Sequence, residues 1–277
     1  MQSASLDPSG VLLAPSPGRL GGGLTLVRRA LLPLLLVGGA WEAFARLSGV
    51  NPALFPPVET VAVTFWHLLL SGVLWVNTVD TLGRLMFGWA IASVIGLVLG
   101  FAMARNRVIE DLFLPLISLL LPIPSLAWIP LFILWFGLSN TSVIVLVAFS
   151  AALPTILNTW TGMRSVNPVW LRAAQSMKVR GLLLFWKVVL PASLPFVMTG
   201  LRIGLAQAWR AVVAGEMIAA TQYGLGVLIF NAREFLRTDV MLSALLVIGP
   251  LGLILEKVLF QTIERRTIER WGMTGRG

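Results

Sequence analysis

Arg210 stands near the middle of an apolar run, Phe196–Ala219, with Gln207 three residues before it on the same helical face. A guanidinium at mid-membrane depth costs roughly 2.5–3.5 kcal/mol on insertion scales, so it must face protein or a water-filled cavity. Two chemistries meet that demand. Arg210 helps an anion across, or it pairs with an acidic residue of another helix, for instance in a second copy of the chain. Glu216 lies on a different face of the same run and is not its partner by helical adjacency. Trp128 and Trp135 flank Pro130 in an earlier run and read either as lining of a path or as packing. Glu42, Arg46, Arg84 and Arg202 lie near the ends of apolar runs, where snorkelling suffices.

Other reactive chemistry is sparse. His67 is the only histidine, there is no cysteine, and no His or carboxylate spacing suits a metal. Ser125 and Ser150 have no histidine near them in sequence and read as helix-packing residues. The lysines follow Met177, Trp186 and Glu256, so the Gly-Lys dipeptide of a phosphate-cradling P-loop is missing. If ATP drives this protein, a separate polypeptide binds it. Aromatic and basic residues do not interleave as a nucleic-acid surface would require.

The elements that position these residues follow from composition. Of 277 residues, 57% are hydrophobic and only 12% charged, whereas soluble domains run about 45–50% apolar and about 25% charged. The chain reads as an all-α integral membrane protein. Residues 1–27, rich in Ser, Pro and Gly, read as a disordered tail. Residues 28–48 read as a first crossing, with a signal peptide as the alternative. Residues 49–80 read as a proline turn and a short helix outside the membrane, and 81–262 as the body of the protein. That body holds five further runs: Leu82–Ala104, Leu112–Phe136, Ser142–Met163, Phe196–Ala219 and Met241–Phe260. Each reaches the ~20 residues that a spanning helix needs. Leu112–Phe136 contains Pro115, Pro122, Pro124 and Pro130, so it is expected to kink or break.

Charge sets the topology. With six crossings and the N-terminus inside, 15 of the 21 Lys and Arg residues fall on the cytoplasmic side, and the outer loops hold Arg233 and Arg237. Dividing Leu112–Phe136 into two crossings would expel the Arg164–Lys187 cluster, against the positive-inside rule. The net charge of +9 is then a cytoplasmic excess, both termini are inside, and 263–277 is a cytoplasmic tail. Residues 164–195 form a cytoplasmic loop. Within it Trp170, Leu171, Ala174 and Met177 recur at helical spacing, Gly181 breaks the turn, and "LLLFWKVVL" makes a second short helix ending at Pro191. Periodicity alone leaves two roles open for this loop, a headgroup anchor or a docking surface.

The order Leu171, Arg172, Ala173, Ala174, Met177, Lys178, Gly181, Val188, Leu190, Pro191 resembles the "EAA" loop of permease subunits of bacterial ABC importers. "PIPSLAWIPLFILWFG" (122–137), "TGLRIGLAQAW" (199–209), "GEMIAAT" (215–221), "GLG" (224–226) and "FLRTDV" (235–240) resemble the sulfonate, taurine and nitrate branch. The likeness covers about Asn51 to Met273 and departs at Arg172, where Glu is usual, and Lys178, where Gly is usual. It implies a type I importer permease with six transmembrane helices in the inner membrane, pairing with itself. It also implies a coupling helix in 164–195 that docks on a separate pair of ATPase subunits, which carry ATP and Mg. An extracytoplasmic solute-binding protein would deliver a small anion. The rival from another class, a secondary transporter or channel, predicts internal repeats and several mid-membrane ionisable groups; no clear repeat is visible. A membrane scaffold that transports nothing is the third possibility.

Overall fold

The computed structural model describes residues 22–219 and 222–259. The expected tail up to residue 21, the tail 263–277 and the expected end of the last crossing at Phe260 lie outside the described residues. The chain divides into two units, residues 1–58 and 59–277.

In the first unit, helix α1 (Gly22–Leu47) contains most of the expected first crossing. Glu42 does more than snorkel: it pairs with Arg46 and its Oε2 accepts the Val58 amide at 2.7 Å. Trp41 stacks on Phe55 with ring centroids 4.1 Å apart, and its Nε1 donates to the Pro56 carbonyl. These contacts fold the proline turn back onto the helix end.

The second unit begins with α2 (Val58–Leu70) and the long α3 (Val73–Arg105). Then come α4 (Arg107–Leu120), a 3-10 turn (Ser125–Trp128), α5 (Ile129–Phe136) and α6 (Asn140–Arg164). The loop helix α7 (Pro168–Ser176) precedes α8 (Gly181–Leu184) and α9 (Leu190–Ala219); α10 (Leu225–Glu234) and α11 (Thr238–Ile254) close the series. The described residues contain no strand.

Helix α6 is the centre. Helix α3 lies along it in parallel: Gly88 faces Val147, Gly96 faces Thr155 and Gly100 faces Thr159. A Cβ on Gly96 would come within 2.5 Å of Thr155 Cγ2, so only hydrogen fits. Without a hydrophobic drive between helices in lipid, such small residues let dispersion contacts hold the pair. Helix α9 also lies against α6 and runs antiparallel to it, with Gly162 against Phe196, Gly204 against Ala151, and Gly215 against Val143 and Leu146. Leu85, Leu146, Val147, Leu205, Ala208 and Val212 fill the seam.

The expected single crossing Leu112–Phe136 is instead two helices, α4 and α5, bent by 99°. Neither spans alone, since 14 and 8 residues reach only about 21 and 12 Å at 1.5 Å per residue. Their ends nonetheless sit on opposite faces. Glu110 at the start of α4 pairs with Arg164 at the end of α6, whereas Phe136 leads directly to Asn140 at the start of α6. The pair is therefore one broken span. With α3, α6, the run Gly181–Ala219 and α11, that makes five spans in the second unit long and apolar enough to cross a membrane among the described residues.

The expected second loop helix does not stop at Pro191. Residues Gly181–Ala219 form one 39-residue helix. Pro191 has no N–H for a 3.6-residue turn, and just before it residues Phe185–Val189 widen into a π-turn, with Leu190 N–H bonding Phe185 C=O.

Candidate functional site

The basic loop 164–195 is built by caps. Asn167 accepts the Val169 amide at 2.9 Å, and Pro168 supplies a preset first helical residue. At the other end Lys178 takes φ 61°. Its N–H donates to Gln175 C=O, and Val179 N–H donates to Ala174 C=O. Those two bonds make a Schellman turn, whose left-handed residue is usually glycine. The departure at Lys178 is thus a question of handedness rather than of close backbone approach. Gly181, at φ 59°, reverses the chain a second time with open space around it.

The apolar stripe expected on α7 divides. Ala174 is 4% exposed and buried by its own chain, whereas Met177 is 72% exposed. Leu171 is half-buried, and Arg172 and Ala173 are exposed; Val188, Leu190 and Pro191 are half-buried along the following helix. Trp170, Ala173 and Met177 share one exposed face. The small size of Ala174 answers a contact inside this chain; the outward face belongs to those three.

Arg210 is exposed on α9, and its Nη1 lies 3.5 Å from Gln207 Oε1. It lines a cavity of about 260 Å³ between α9 and α11 with Arg202, Trp209, Gly252 and Glu256. Arg202 does not simply snorkel but pairs with Glu256 at 3.0 Å. On the other side Gln207 lines a second cavity, about 250 Å³, at the break between α4 and α5. Ser125, Phe149, Ser150 and Pro154 line it too. Trp128 packs against Phe149 at 5.2 Å, and its buried Nε1 has no partner among the described residues. Trp135 is exposed, 6.1 Å from Phe132.

The strongest polar cluster was not legible in the sequence. Arg84, expected to snorkel, is 6% exposed; its Nη1 donates to Glu216 Oε1 at 2.5 Å and its Nε to Asn140 Oδ1 at 2.9 Å. Glu216 Oε2 also accepts Thr81 Oγ1 and the Gly226 amide. Thr81 and Asn77 in turn accept the Leu225 and Gly224 amides. Gly224, at φ 149°, leaves no room for a Cβ beside the Glu216 carboxylate. The cluster thus ties α3, α6 and α9 to the first amides of α10, at the end of α6 opposite Arg164.

Five apolar spans around a central α6, a capped basic loop between two of them, and cavities beside a broken helix give the architecture of an α-helical membrane protein. Residues 92–268 match the family model described as "Binding-protein-dependent transport system inner membrane component". The chain belongs to that family. It is 36% identical over 248 residues to the taurine transport system permease protein TauC of Escherichia coli, covering 88% of each chain. Against a putative ABC transporter permease protein of Methanocaldococcus jannaschii the identity is 38% over 236 residues, covering 84% of this chain and 88% of the relative. In fold it is similar to a structure of the MetNI methionine ABC transporter in an inward-facing conformation. There the TM-score is 0.63 at 19% identity, covering 72% of this chain and 97% of that one.

Proposed function

We propose that this chain is the membrane-spanning, non-enzymatic subunit of an ATP-driven importer for a small oxyanion of the taurine, sulfonate or nitrate kind. It sits in the bacterial inner membrane with six crossings, α1 being the first, and both termini in the cytoplasm. Two copies pair. A pair of ATPase subunits, holding ATP and Mg, docks on the two 164–195 loops, and an extracytoplasmic solute-binding protein delivers the solute. The relatives named for taurine and for aliphatic sulfonates support the solute class. Arg210 and Gln207 lie along the path, with Trp128 behind it and Trp135 at its rim.

One observation carries the coupling role. Helix α7 is closed by the Schellman turn and leads, through Gly181, into a single 39-residue helix that bears Gln207 and Arg210. Shifting a two-state equilibrium from 1:99 to 99:1 takes about 5.5 kcal/mol of differential binding. A rigid loop joined to a continuous helix transmits such a bias to mid-membrane; a flexible loop dissipates it. ATPase closure then draws the paired loops together, and the crossings rock between outward-open and inward-open. A secondary transporter or channel needs neither a docking loop nor a binding protein, and the family description favours the first reading.

The docking face is Trp170, Ala173 and Met177. Ala173→Asp places a charge at its centre, where burial unpaired costs several kcal/mol. The expected outcome is a folded, inserted permease that no longer retains the ATPase in pull-down and shows no ATP-driven uptake. Full ATPase retention by that variant would leave α7 as a headgroup anchor.

A further inference from the structure

The cavity at the break between α4 and α5 sits at mid-depth, because Ser150 and Pro154 lie near the middle of α6. Non-helical backbone at that depth is tolerated only where it is buried in protein or lines a hydrated cavity. Residues 121–124 are exposed at this break and line the cavity, and their two amides bond the Ile117 and Leu120 carbonyls. Its side-chain donors are unspent. Ser150 is 7% exposed, yet its hydroxyl bonds to no described residue, and neither does that of Ser125. Several other hydroxyls in the spans turn back onto their own helix: Ser93 to Trp89, Ser118 to Leu114, Thr155 to Ala151, Ser243 to Asp239. Gln207 presents its Oε1 to Arg210, which leaves its amide hydrogens for the cavity. No carboxylate lines the space.

Ser125, Ser150 and Gln207 line this cavity with donor hydrogens that no described residue takes up, so water or a solute with acceptor oxygens meets them there. We propose that this cavity is a transit site for the head group of a small oxyanion. Ser125, Ser150 and Gln207 donate to its oxygens, and Arg210 orients the Gln207 amide from behind. This rests on the importer reading above. The volume, about 250 Å³, falls below the ~300–1,000 Å³ of pockets for drug-sized ligands, so it suits a short solute. Neutral donors suit passage, since a transported ion must bind well enough to enter and weakly enough to leave.

The test uses the complete importer, with its ATPase and binding protein, in proteoliposomes with labelled taurine. The readout is solute moved per ATP hydrolysed. Ser150→Ala and Gln207→Leu are each expected to lower that ratio at least fivefold with ATPase rate and assembly unchanged, while Ser150→Thr retains it. Ser125→Ala, at the half-exposed hinge, gives the same drop and carries the test should Ser150→Ala fail to assemble. An unchanged ratio in these variants overturns the proposal, as does a parallel fall of uptake and ATPase rate, which marks a structural role. A wild-type importer that moves no oxyanion removes the importer reading itself, and the transit site with it.

Discussion

Arg84 shows how far one residue's role depends on partners that sequence adjacency does not reveal. It stands near the start of the apolar run as read from composition, and a snorkelling cation is the ordinary outcome there. In the fold α3 begins at Val73, so Arg84 lies inside the bundle, and its partner Glu216 is 132 positions away. No local period connects them. Arg210 and Gln207, by contrast, were legible because an Arg amid apolar residues is informative on its own and their contact is three residues apart. Each member of the Arg84–Glu216 pair has further hydrogen bonds, Arg84 to Asn140 and Glu216 to Thr81 and Gly226, and such bonds make a buried pair tolerable. Removing one partner strands the other charge. Glu216→Leu is therefore expected to cost about 3–5 kcal/mol, read as a lower unfolding temperature in detergent. The double variant Arg84→Met with Glu216→Leu recovers part of that loss, because no charge is left buried. A single variant as stable as wild type would show that the cluster contributes nothing to holding α10 in place.

At the scale of elements, apolar runs marked the spans well, because length and hydropathy are local properties. Proline was read rightly in one place and misled in another. Pro191 was expected to end a helix, yet the chain runs through it, with a π-turn just before it and a continuous span after it. The run holding Pro122 and Pro124 was expected to kink or break, and it opens by 99°. The difference lies in spacing: the helix takes up Pro191 beside one widened turn, whereas Pro122 and Pro124, two residues apart, remove two amides from a single turn. The loop helix α7 was legible as an element, but the handedness of its closing turn was not. Lys178 holds a left-handed conformation that costs an L-residue roughly 1–2 kcal/mol. Lys178→Gly is thus expected to stabilise the loop by about 1 kcal/mol with coupled uptake intact, checked by protection of the 168–180 amides against hydrogen exchange. Ala174→Asp does the reverse, since Ala174 is buried by its own chain; it loosens the loop before any partner arrives. Reduced protection in the glycine variant would mean that the lysine side chain holds the turn in some other way.

For the whole molecule, the cytoplasmic side proposed for the loop rests on charge, and the number of crossings before it rests on packing. The loop from Arg164 to Lys187 carries Arg172, Lys178 and Arg180 as well, and such excess stays inside. Helix α6 crosses once, and α3 runs parallel to it while α9 runs antiparallel. Parallel neighbours need an even number of crossings from the start of one to the start of the other, so the α4–α5 pair must cross between them, as the Glu110–Arg164 contact also requires. A re-entrant α4–α5 would make α3 and α6 antiparallel and would expel the basic loop. The chain has no cysteine of its own, so single cysteines report cleanly. A cysteine at Arg180 is expected to resist membrane-impermeant maleimide added to intact cells and to react once the membrane is opened, while one at Asn140 reacts from outside. Labelling of position 180 in intact cells would place the loop away from any ATPase, and coupling through α7 would fail together with the topology.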